Sequence, residues 1–569
     1  MDSPAKKRDT ATVSRRDLLR GGAATAVITA AAVAETRSMY GQDAPDADTP
    51  LMRSARSVVR LLDDMPETPP VGVIALNRAA FGPRPGELDY RYFAELGDSD
   101  DARLQAFVDQ QLNPAGIDDS ACENRIAAQG FTTLNKSLSQ LWADHVVADV
   151  DWGERIRPAR ETEQAAWLRA VYSKRQLVEV LADFWHNHFN VYGFEYWSAP
   201  IWSHYDRQVI RANMLGNFRT FLGAVAKHPA MLYFLDNTTN TSAGPNENFA
   251  RELFELHTMG AENYLGVVED RNDVPLDDQG RPVGYIDKDV YQATECFTGW
   301  TVDRDTGEFS FHENDHSRYE KIVLNTSIGD FLGQQDGEIV LDLLADHPGT
   351  ARHIARKLCR RLISDEPPES VVQAAADVFH AQRDAPDQLK RVVRTILLSD
   401  EFRTTWGQKV KRPFEYSVSI LRAGKAEFVF NDHFSWNYGR MGQSLFQWYP
   451  PDGYPDNRNA WTGTMPILQR WKHCNWLAEW TYEDGPNEGD YRLRFEQEMP
   501  GDRTTPNQIV DFWSQRLLGR SLPAQERGSI VNFIAQGRNP DFALPADLVG
   551  ERTRFTVALM MMAPSFLWR

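Results

Sequence analysis

Helical spacing recurs along most of this chain, and it constrains the fold more than any other feature of the sequence. Within 162–189, Leu177, Leu181, Phe184 and His188 follow one another at intervals of three and four residues and so form one stripe of a helix. The same kind of pattern occurs in 75–88, 101–112, 206–235, 246–259, 287–297, 347–363, 369–381, 387–398, 411–423, 506–518, 523–536 and 552–562. These stretches predict a chain built mainly from helices.

Alternating patterns typical of strands are few. The best of them, at 309–312, 322–324 and 427–430, are each only three or four residues long. We therefore expect a mainly α fold, a large multi-helix body with a few short strands in its loops.

The N-terminus has the pattern of an export signal. Paired Arg15 and Arg16 precede an uncharged, alanine-rich run over 21–34, which ends in a small-x-small peptidase site and would leave Glu35 as the new N-terminus. Paired arginines and a weakly apolar run favour the twin-arginine route. The sequence thus predicts a periplasmic or extracellular protein.

Three parts are expected along the chain. These are a signal peptide over 1–34, a polar leader over 35–70 and one large helical domain over 71–569, with a subdivision at 365–410 as the alternative. No stretch of the mature chain approaches the roughly 18 consecutive apolar residues of a spanning helix, so we expect it to have no transmembrane segment.

The chain is strongly acidic. Its formal charge is −18, and removal of 1–34 takes away six Lys/Arg and three Asp/Glu, which leaves −21. Such a surface repels polyanions at long range, so nucleic acid is not an expected partner. The four cysteines, Cys122, Cys296, Cys359 and Cys474, form no C-x-x-C pair, and both disulfides and buried free thiols stay open.

The densest polar motif is N-E-N-x-A-R-E-L-x-E-L-H-x-x-G over 246–260. On an ideal helix Asn248, Glu252 and Glu255 share one face with Arg251 at its edge, while His257 lies on the far side. Two carboxylates one turn apart can separate into acid and base roles, or bind a cation. The structural alternative is a solvated face with an Arg251–Glu255 ion pair.

Two histidine motifs could hold a metal. His186 and His188 would reach one ion only if their helix ended before them, because on a helix they point about 200° apart. The second motif, over 312–316, combines His and Asp, and a polar loop is its alternative reading. A basic stripe after His347-Pro348 contains Arg352, Arg356, Lys357 and Arg360, which would either receive an anion or link acidic helices.

Tryptophan is abundant, with 16 residues, and several fall in turn-rich segments. Trp300, Trp448 and Trp461 are the candidates for a stacking platform, with core packing as the alternative. The loop around Trp448 has the sequence WYPPDGYP, whose Pro and Gly content predicts a rigid aromatic loop.

Taken together, these motifs resemble those of a bacterial family known only as domain of unknown function 1800. The matching segments are 76–82, 184–189, 246–260, 297–300, 347–352, 357–358, 450–451 and Trp461. They span roughly 70–565, and the chain departs from the usual pattern at Ser317 and in the turn after the paired prolines. The resemblance implies an exported, mostly helical protein and no particular reaction.

We therefore expect an exported enzyme, a hydrolase or lyase acting on a glycan or similar polymer. Glu252 and Glu255 would do the acid–base work, His188 and His257 would assist, and Asn248, Arg251 and the three tryptophans would bind substrate. One alternative is a metal-dependent oxidoreductase or hydrolase with a divalent cofactor. The other is a non-enzymatic envelope protein that works with a co-exported partner.

Overall fold

Helices dominate the structure, as the sequence predicts. The structure, a computed structural model, describes residues 67–428, 430–479, 493 and 495–569. In its first half the α-helices are α1 Val71–Arg78, α2 Tyr90–Ala94, α3 Asp100–Gln111, α4 Ser120–Ala127, α5 Leu138–Trp142, α6 Trp152–Arg155, α7 Arg157–Tyr172, α8 Gln176–His188, α9 Trp202–His204, α10 Phe218–Ala226, α11 Pro229–Phe234, α12 Asn248–Glu252 and α13 Asp287–Cys296.

The second half continues the same architecture. Its helices are α14 Gln335–Asp346, α15 Pro348–Leu362, α16 Glu369–Ala381, α17 Gln388–Leu397, α18 Asp400–Thr404, α19 Pro413–Ala423, α20 Asp432–Gly439, α21 Thr464–Glu479, α22 Pro506–Leu518, α23 Ala524–Ala535, α24 Ala546–Met562 and α25 Pro564–Leu567. Contacts within Pro66–Arg569 join all of these helices into one compact unit.

Helix starts follow local side-chain chemistry. His228 and His347 each precede a proline that opens a helix, and their Nδ1 atoms accept the backbone N–H of Ala230 at 3.2 Å and of Gly349 at 3.0 Å. Proline at the first helical position needs no hydrogen-bond partner there, and the histidine satisfies the next free donor. The helix start predicted at His347-Pro348 is confirmed.

Three segments widen into π-helix, namely Ala143–Val147, Tyr205–Arg211 and Leu253–His257. Single π turns inside α-helices rotate the residues that follow them and are frequent at functional sites. The third of these segments completes the N-E-N motif, so it changes which way His257 faces.

The strands form two short antiparallel hairpins. Strand β1 (Trp300–Val302) pairs with β2 (Phe309–Phe311), and β3 (Lys321–Val323) pairs with β4 (Thr326–Ile328). The predictions at 309–312 and 322–324 fall on β2 and β3. At 427–430 the described residues lie outside the four strands, and Glu427 alone forms a single β-bridge.

A buried ion cluster ties distant helices together. Arg361 donates to Asp183 at 2.9 Å and also contacts Glu415, while Arg412 contacts Asp183 and Arg569 contacts Glu415. The carboxylate of Glu415 also accepts the Arg412 backbone N–H at 2.8 Å. The side chains of the three arginines and of Glu415 are only 1–2% exposed, so the cluster lies in the core. Each charge there lies against an opposite one.

The four cysteines lie buried as free thiols, in α4, α13, α15 and α21. Burial raises the pKa of the Cys122 thiol to about 12. Among the described residues, no helix combines the length and apolarity needed to cross a bilayer. The predicted signal peptide and most of the polar leader lie outside the described residues.

Candidate functional site

The N-E-N motif forms helix α12 and the π turn that follows it. Asn246 Oδ1 accepts the Asn248 backbone N–H at 3.1 Å, which satisfies a free donor at the helix start. At the other end Thr258 Oγ1 donates to the Leu253 carbonyl at 2.6 Å, and Gly260 turns the chain with a φ of +88°. Phe249 and Leu253 are buried, and they fix which side of the helix faces outward.

Glu252 and Glu255 are both half-buried on the outward side of this helix. Burial and, to a smaller degree, the nearby Glu255 and Asp452 carboxylates raise the pKa of Glu252 to about 7, while Arg251 acts to lower it. A carboxyl group with this pKa exchanges its proton near neutral pH, as a general acid must. The sequence brought Glu252 and Glu255 together but did not indicate Asp452.

Asp452 comes from the WYPPDGYP loop, about 200 positions further along the chain. Asn187, near the end of α8, fixes this loop by donating to the Tyr454 carbonyl at 2.9 Å and accepting the Tyr454 N–H at 2.7 Å. Asn190 donates to the carbonyls of Trp448 and Pro450 at 3.0 and 2.7 Å. The rigid loop predicted from Pro and Gly content is thus held by the segment that follows His186.

Glycine is required at position 453. Its φ is +76°, and a Cβ there would lie 2.2 Å from the Asn187 carbonyl oxygen. Close approach of the loop to the end of α8 therefore sets the place of the neighbouring Asp452. Asp452 is exposed and accepts the indole N–H of Trp448 at 2.9 Å.

Lys357 lies near Asp452. Its amine makes no ion pair or hydrogen bond with any residue in the described ranges. Burial and the neighbouring Arg360 lower the pKa of its amine to about 8, against the pull of Asp456, Glu262 and Asp452. Asp452 thus lies close enough to influence both Glu252 and Lys357. We call Glu252, Glu255, Lys357 and Asp452 the acid–base site.

Three histidines pack beside Lys357, and we call His188, His257 and His353 the histidine floor. His188 Nε2 donates to the His257 carbonyl at 3.2 Å, and the His188 ring centroid lies 6.2 and 6.3 Å from those of His257 and His353. His353 lies one helical turn before Lys357, and its Nδ1 contacts Glu262 at 2.9 Å.

The floor is neutral. Burial, together with the nearby Lys357, lowers the pKa of His257 to about 3 and takes that of His188 well below its usual range. His188 Nδ1 and His257 Nε2 are buried without a hydrogen-bond partner in the described residues. His257 lies in the π turn and is buried beside His188, whereas Glu252 and Glu255 stay half-buried.

His186 and His188, the pair predicted as metal ligands, point to different sides of their helix. Helix α8 persists to His188, so His186 points the other way, with Nε2 2.9 Å from Asp206 Oδ1. Asp206 in turn accepts from Arg211 at 2.9 Å. His186 lines a cavity of about 40 Å³ that lies on the side of α8 away from His188.

The two histidines of the second predicted metal motif, over 312–316, also contact different residues. The exposed His312 ring lies 3.4 Å from Asp315, whereas His316 is buried and lies 3.0 Å from Asp336. Asp336 also accepts from Lys321 at 2.6 Å, so these three residues anchor the hairpin to α14. Within the described part of the chain, no group of three or more His, Cys, Asp or Glu side chains could hold a metal ion.

The predicted substrate-binding residues are dispersed. Trp300 is 0% exposed and packs in the core, and Trp461 is buried with its indole N–H on the Pro455 carbonyl. Arg251 pairs with Glu247 at 3.1 Å and Asp287 at 3.5 Å, so the Arg251–Glu255 pair of the structural alternative is wrong. Asn248 stays half-buried on α12, and Trp448 reaches the site through Asp452.

The basic stripe is mostly neutralised. Arg352 and Arg356 both pair with Glu369, at 2.6 and 3.0 Å, and Arg360 donates to the Asp365 carbonyl. These contacts link α15 to α16 and to the segment between them, which was one of the two readings of the stripe. Lys357 is the exception, and its sequence position gave no signal that it belonged to the site.

A comparison with protein families gives one match. The family model described as "Protein of unknown function (DUF1800)" matches residues 74–568. No curated protein and no solved structure matches the chain.

Proposed function

The chain belongs to the DUF1800 family, whose description assigns no reaction, and from the site itself we propose an exported acid–base enzyme. In this proposal it is a hydrolase or lyase acting on a glycan or similar polymer, with Glu252 as the general acid. The observation that carries the proposal is the half-buried Glu252, whose pKa lies at about 7. The export part rests on the paired arginines and the apolar run of the leader.

Two carboxyl groups in unlike surroundings are how acid and base roles separate in such enzymes. Glu252 is half-buried and keeps its proton up to neutral pH, whereas Asp452 is exposed and accepts the Trp448 indole N–H. Asp452 would therefore take a proton from water or substrate while Glu252 protonates the leaving oxygen. Glu255 supports Glu252 by raising its pKa.

Lys357 would stabilise negative charge that develops between these carboxyl groups. Its amine has no ion pair or hydrogen bond in the described residues, so no internal partner competes for it. The histidine floor is neutral, and we assign it the role of orienting groups by hydrogen bonds instead of proton exchange. In this proposal His188 and His257 assist by orienting neighbouring groups and do not exchange protons.

Aromatic side chains beside Asp452 favour a substrate with flat apolar faces. Tyr449 is 74% exposed, and its ring centroid lies 5.8 Å from that of Tyr192. With the half-buried Trp448 they form a rim on which sugar rings can stack. This rim replaces the deeply buried Trp300 in the proposed substrate contacts.

The test compares Glu252→Gln with Glu295→Gln across a panel of neutral and acidic polysaccharides. New reducing ends report hydrolysis, and ultraviolet absorbance of a new double bond reports elimination. Glu295 is also a half-buried glutamate, on α13, and serves as the matched control. We expect Glu252→Gln to lose at least about 100-fold in rate and Glu295→Gln to keep the wild-type rate.

Asp452→Asn should lose activity to a similar degree, because it removes the second carboxylate. Melting temperatures of both variants should stay close to that of the wild type. Unfolding by either substitution, or wild-type rates in both, would refute the acid–base assignment.

A further inference from the structure

Exposed apolar side chains concentrate in two segments of the chain. Nineteen large hydrophobic residues are exposed in the described part of the chain, and ten of them fall in the two short segments 264–291 and 319–332. These ten are Tyr264, Leu265, Val267, Leu276, Val283, Tyr291, Tyr319, Ile322, Phe331 and Leu332. Single exposed apolar residues need no explanation, but a concentration of this kind marks an interaction surface.

The two segments adjoin each other and form one surface, which we call the apolar face. Arg271 donates to the Ile322 carbonyl at 2.7 Å and also pairs with Asp289. Asp289 accepts the Leu324 N–H at 2.9 Å, and Ile322 N–H donates to Gln292 at 2.9 Å. The long loop before α13 is thereby fixed to the β3–β4 hairpin.

Phe331 is held on this face in an unfavourable conformation. Its φ is +61°, in the left-handed region that bulky residues rarely adopt, and its side chain is 72% exposed. Its backbone N–H donates to the Arg318 carbonyl at 3.1 Å. Since backbone strain of this kind persists where a position has a use, the exposed ring is the main anchor that we assign to the face.

The two segments of the apolar face also carry negative charge without ion-pair partners in the described structure. Six exposed carboxylates make no ion pair with any residue that the structure describes, namely Glu269, Asp270, Asp273, Asp278, Glu320 and Asp330. The basic residues of the two segments are already engaged: Arg271 with Asp289, Arg281 with Asp277, Lys321 with Asp336 and Lys288 with the Glu269 carbonyl.

We propose that the apolar face binds a protein partner that presents apolar side chains within a rim of lysine and arginine. Complementary charge is expected because six exposed carboxylates without an ion pair among the described residues lie in the same two segments as the apolar side chains. A second copy of this chain would place these carboxylates against one another, and anionic lipid would be repelled in the same way. The proposal is independent of the reaction performed at the acid–base site.

Site-specific photo-crosslinking in the producing cells tests the proposal. A benzophenone amino acid replaces Phe331 in the full chain, and the matched control carries it at Phe542, which is 70% exposed and lies between α23 and α24. We expect a discrete protein adduct from position 331 that position 542 does not give, and its mapped contact peptide should be rich in Lys and Arg.

Charge reversal then separates a specific contact from adventitious capture. Asp273→Lys, Asp278→Lys and Asp330→Lys together should reduce the adduct at least about 10-fold. The same reversal at Asp98, Glu366 and Glu551, which are exposed and unpaired in the described structure, should leave the adduct unchanged. Both triple variants change the net charge equally and should keep the wild-type melting temperature, since all six positions lie on the surface.

Several results would overturn the proposal. They are an adduct with a second copy of the chain, an adduct with lipid, equal adducts from both positions, no adduct at all, or equal effects of the two charge reversals. Vesicles of phosphatidylglycerol and size-exclusion chromatography with light scattering check the lipid and self-association outcomes directly on the purified chain.

Discussion

Charged side chains gather in two regions of this molecule, the buried ion cluster and the acid–base site, and the two regions treat their charges differently. In the cluster Glu415 and Asp183 lie against Arg361, Arg412 and Arg569, so that opposite charges compensate each other. In the acid–base site Glu252 faces two other carboxylates, and the Lys357 amine has no partner in the described residues.

The difference shows which groups serve stability and which are available for chemistry. Removing one partner of a buried ion pair leaves a charge in the core without compensation, which destabilises the fold. The half-buried Glu252 carboxyl instead lies beside other carboxylates, and its raised pKa lets it exchange a proton near neutral pH. The comparison predicts opposite consequences for substitutions in the two regions.

The largest effect is expected for Glu415→Gln. It leaves buried arginines with less compensating charge, and the free energy of unfolding should fall by about 3–5 kcal/mol. Glu369→Gln is the control, because Glu369 pairs with Arg352 and Arg356 at the surface and should lose at most about 1 kcal/mol. Urea denaturation measures both, and equal losses would break the comparison.

The next effect concerns the loop that carries Asp452. Gly453→Ala forces a positive φ on alanine and places a Cβ against the Asn187 carbonyl, so we expect a loss of about 1–3 kcal/mol in stability together with loss of activity. Gly463→Ala, at an exposed position with no close contact, should change neither. A fully active Gly453→Ala enzyme would show that the loop does not position the site.

Glu252 should make stability depend on pH in a definite direction. Its folded pKa of about 7 lies above the ordinary value of 4.5, so the folded state binds the proton more tightly than the unfolded chain. Its contribution is complete below pH 4.5 and is lost as the pH rises to 7. Because the side chain is only half-buried, we expect this loss to be about 1–2 kcal/mol.

Glu252→Gln should remove that part of the pH dependence and leave the rest. The free energy of unfolding is measured for the wild type and for Glu252→Gln at a series of pH values from 4.5 to 7, with Glu295→Gln as the control. Parallel curves for wild type and Glu252→Gln would contradict the assignment.

The smallest effect is expected at Lys357. Its pKa of about 8 is raised by Asp452 and lowered by burial, so Asp452→Asn should lower the pKa further, by less than about one unit. Competitive acetylation over a pH series, read by mass spectrometry against Lys472 in the same digest, gives the value. A rise in the pKa of Lys357, or no change, would show that Asp452 lies too far from the amine to influence it.

Local sequence pattern predicts most of the helices of this fold, but it predicts the acid–base site only in part. The periodicity around Leu177 and the His347-Pro348 start predicted helices because those signals depend on neighbouring residues. The predicted single stretch over 162–189 is in fact two helices, since the chain breaks at Ser173, and α14 and α21 lacked a pattern distinct enough to find.

The acid–base site needed contacts that no local pattern contains. Glu252 and Glu255 share a helix and were found together, but Asp452 and Lys357 reach them only through the tertiary fold. The π turn before His257 also escaped prediction, because i+5 hydrogen bonding has no clear sequence signature. Trp300 resembled an exposed loop residue, whereas packing against Phe297 and Phe309 places it in the core.

Direct titration of the Glu252 carboxyl tests the central claim most simply. Carbon-13 labelling of glutamate Cδ in the purified chain, with the Glu252 resonance assigned by its absence in Glu252→Gln, gives its midpoint by nuclear magnetic resonance. We predict a midpoint at about 7, as expected for a general acid that works near neutral pH. A midpoint at or below the ordinary 4.5 would contradict the account, because Glu252 would then be one more solvated surface carboxylate.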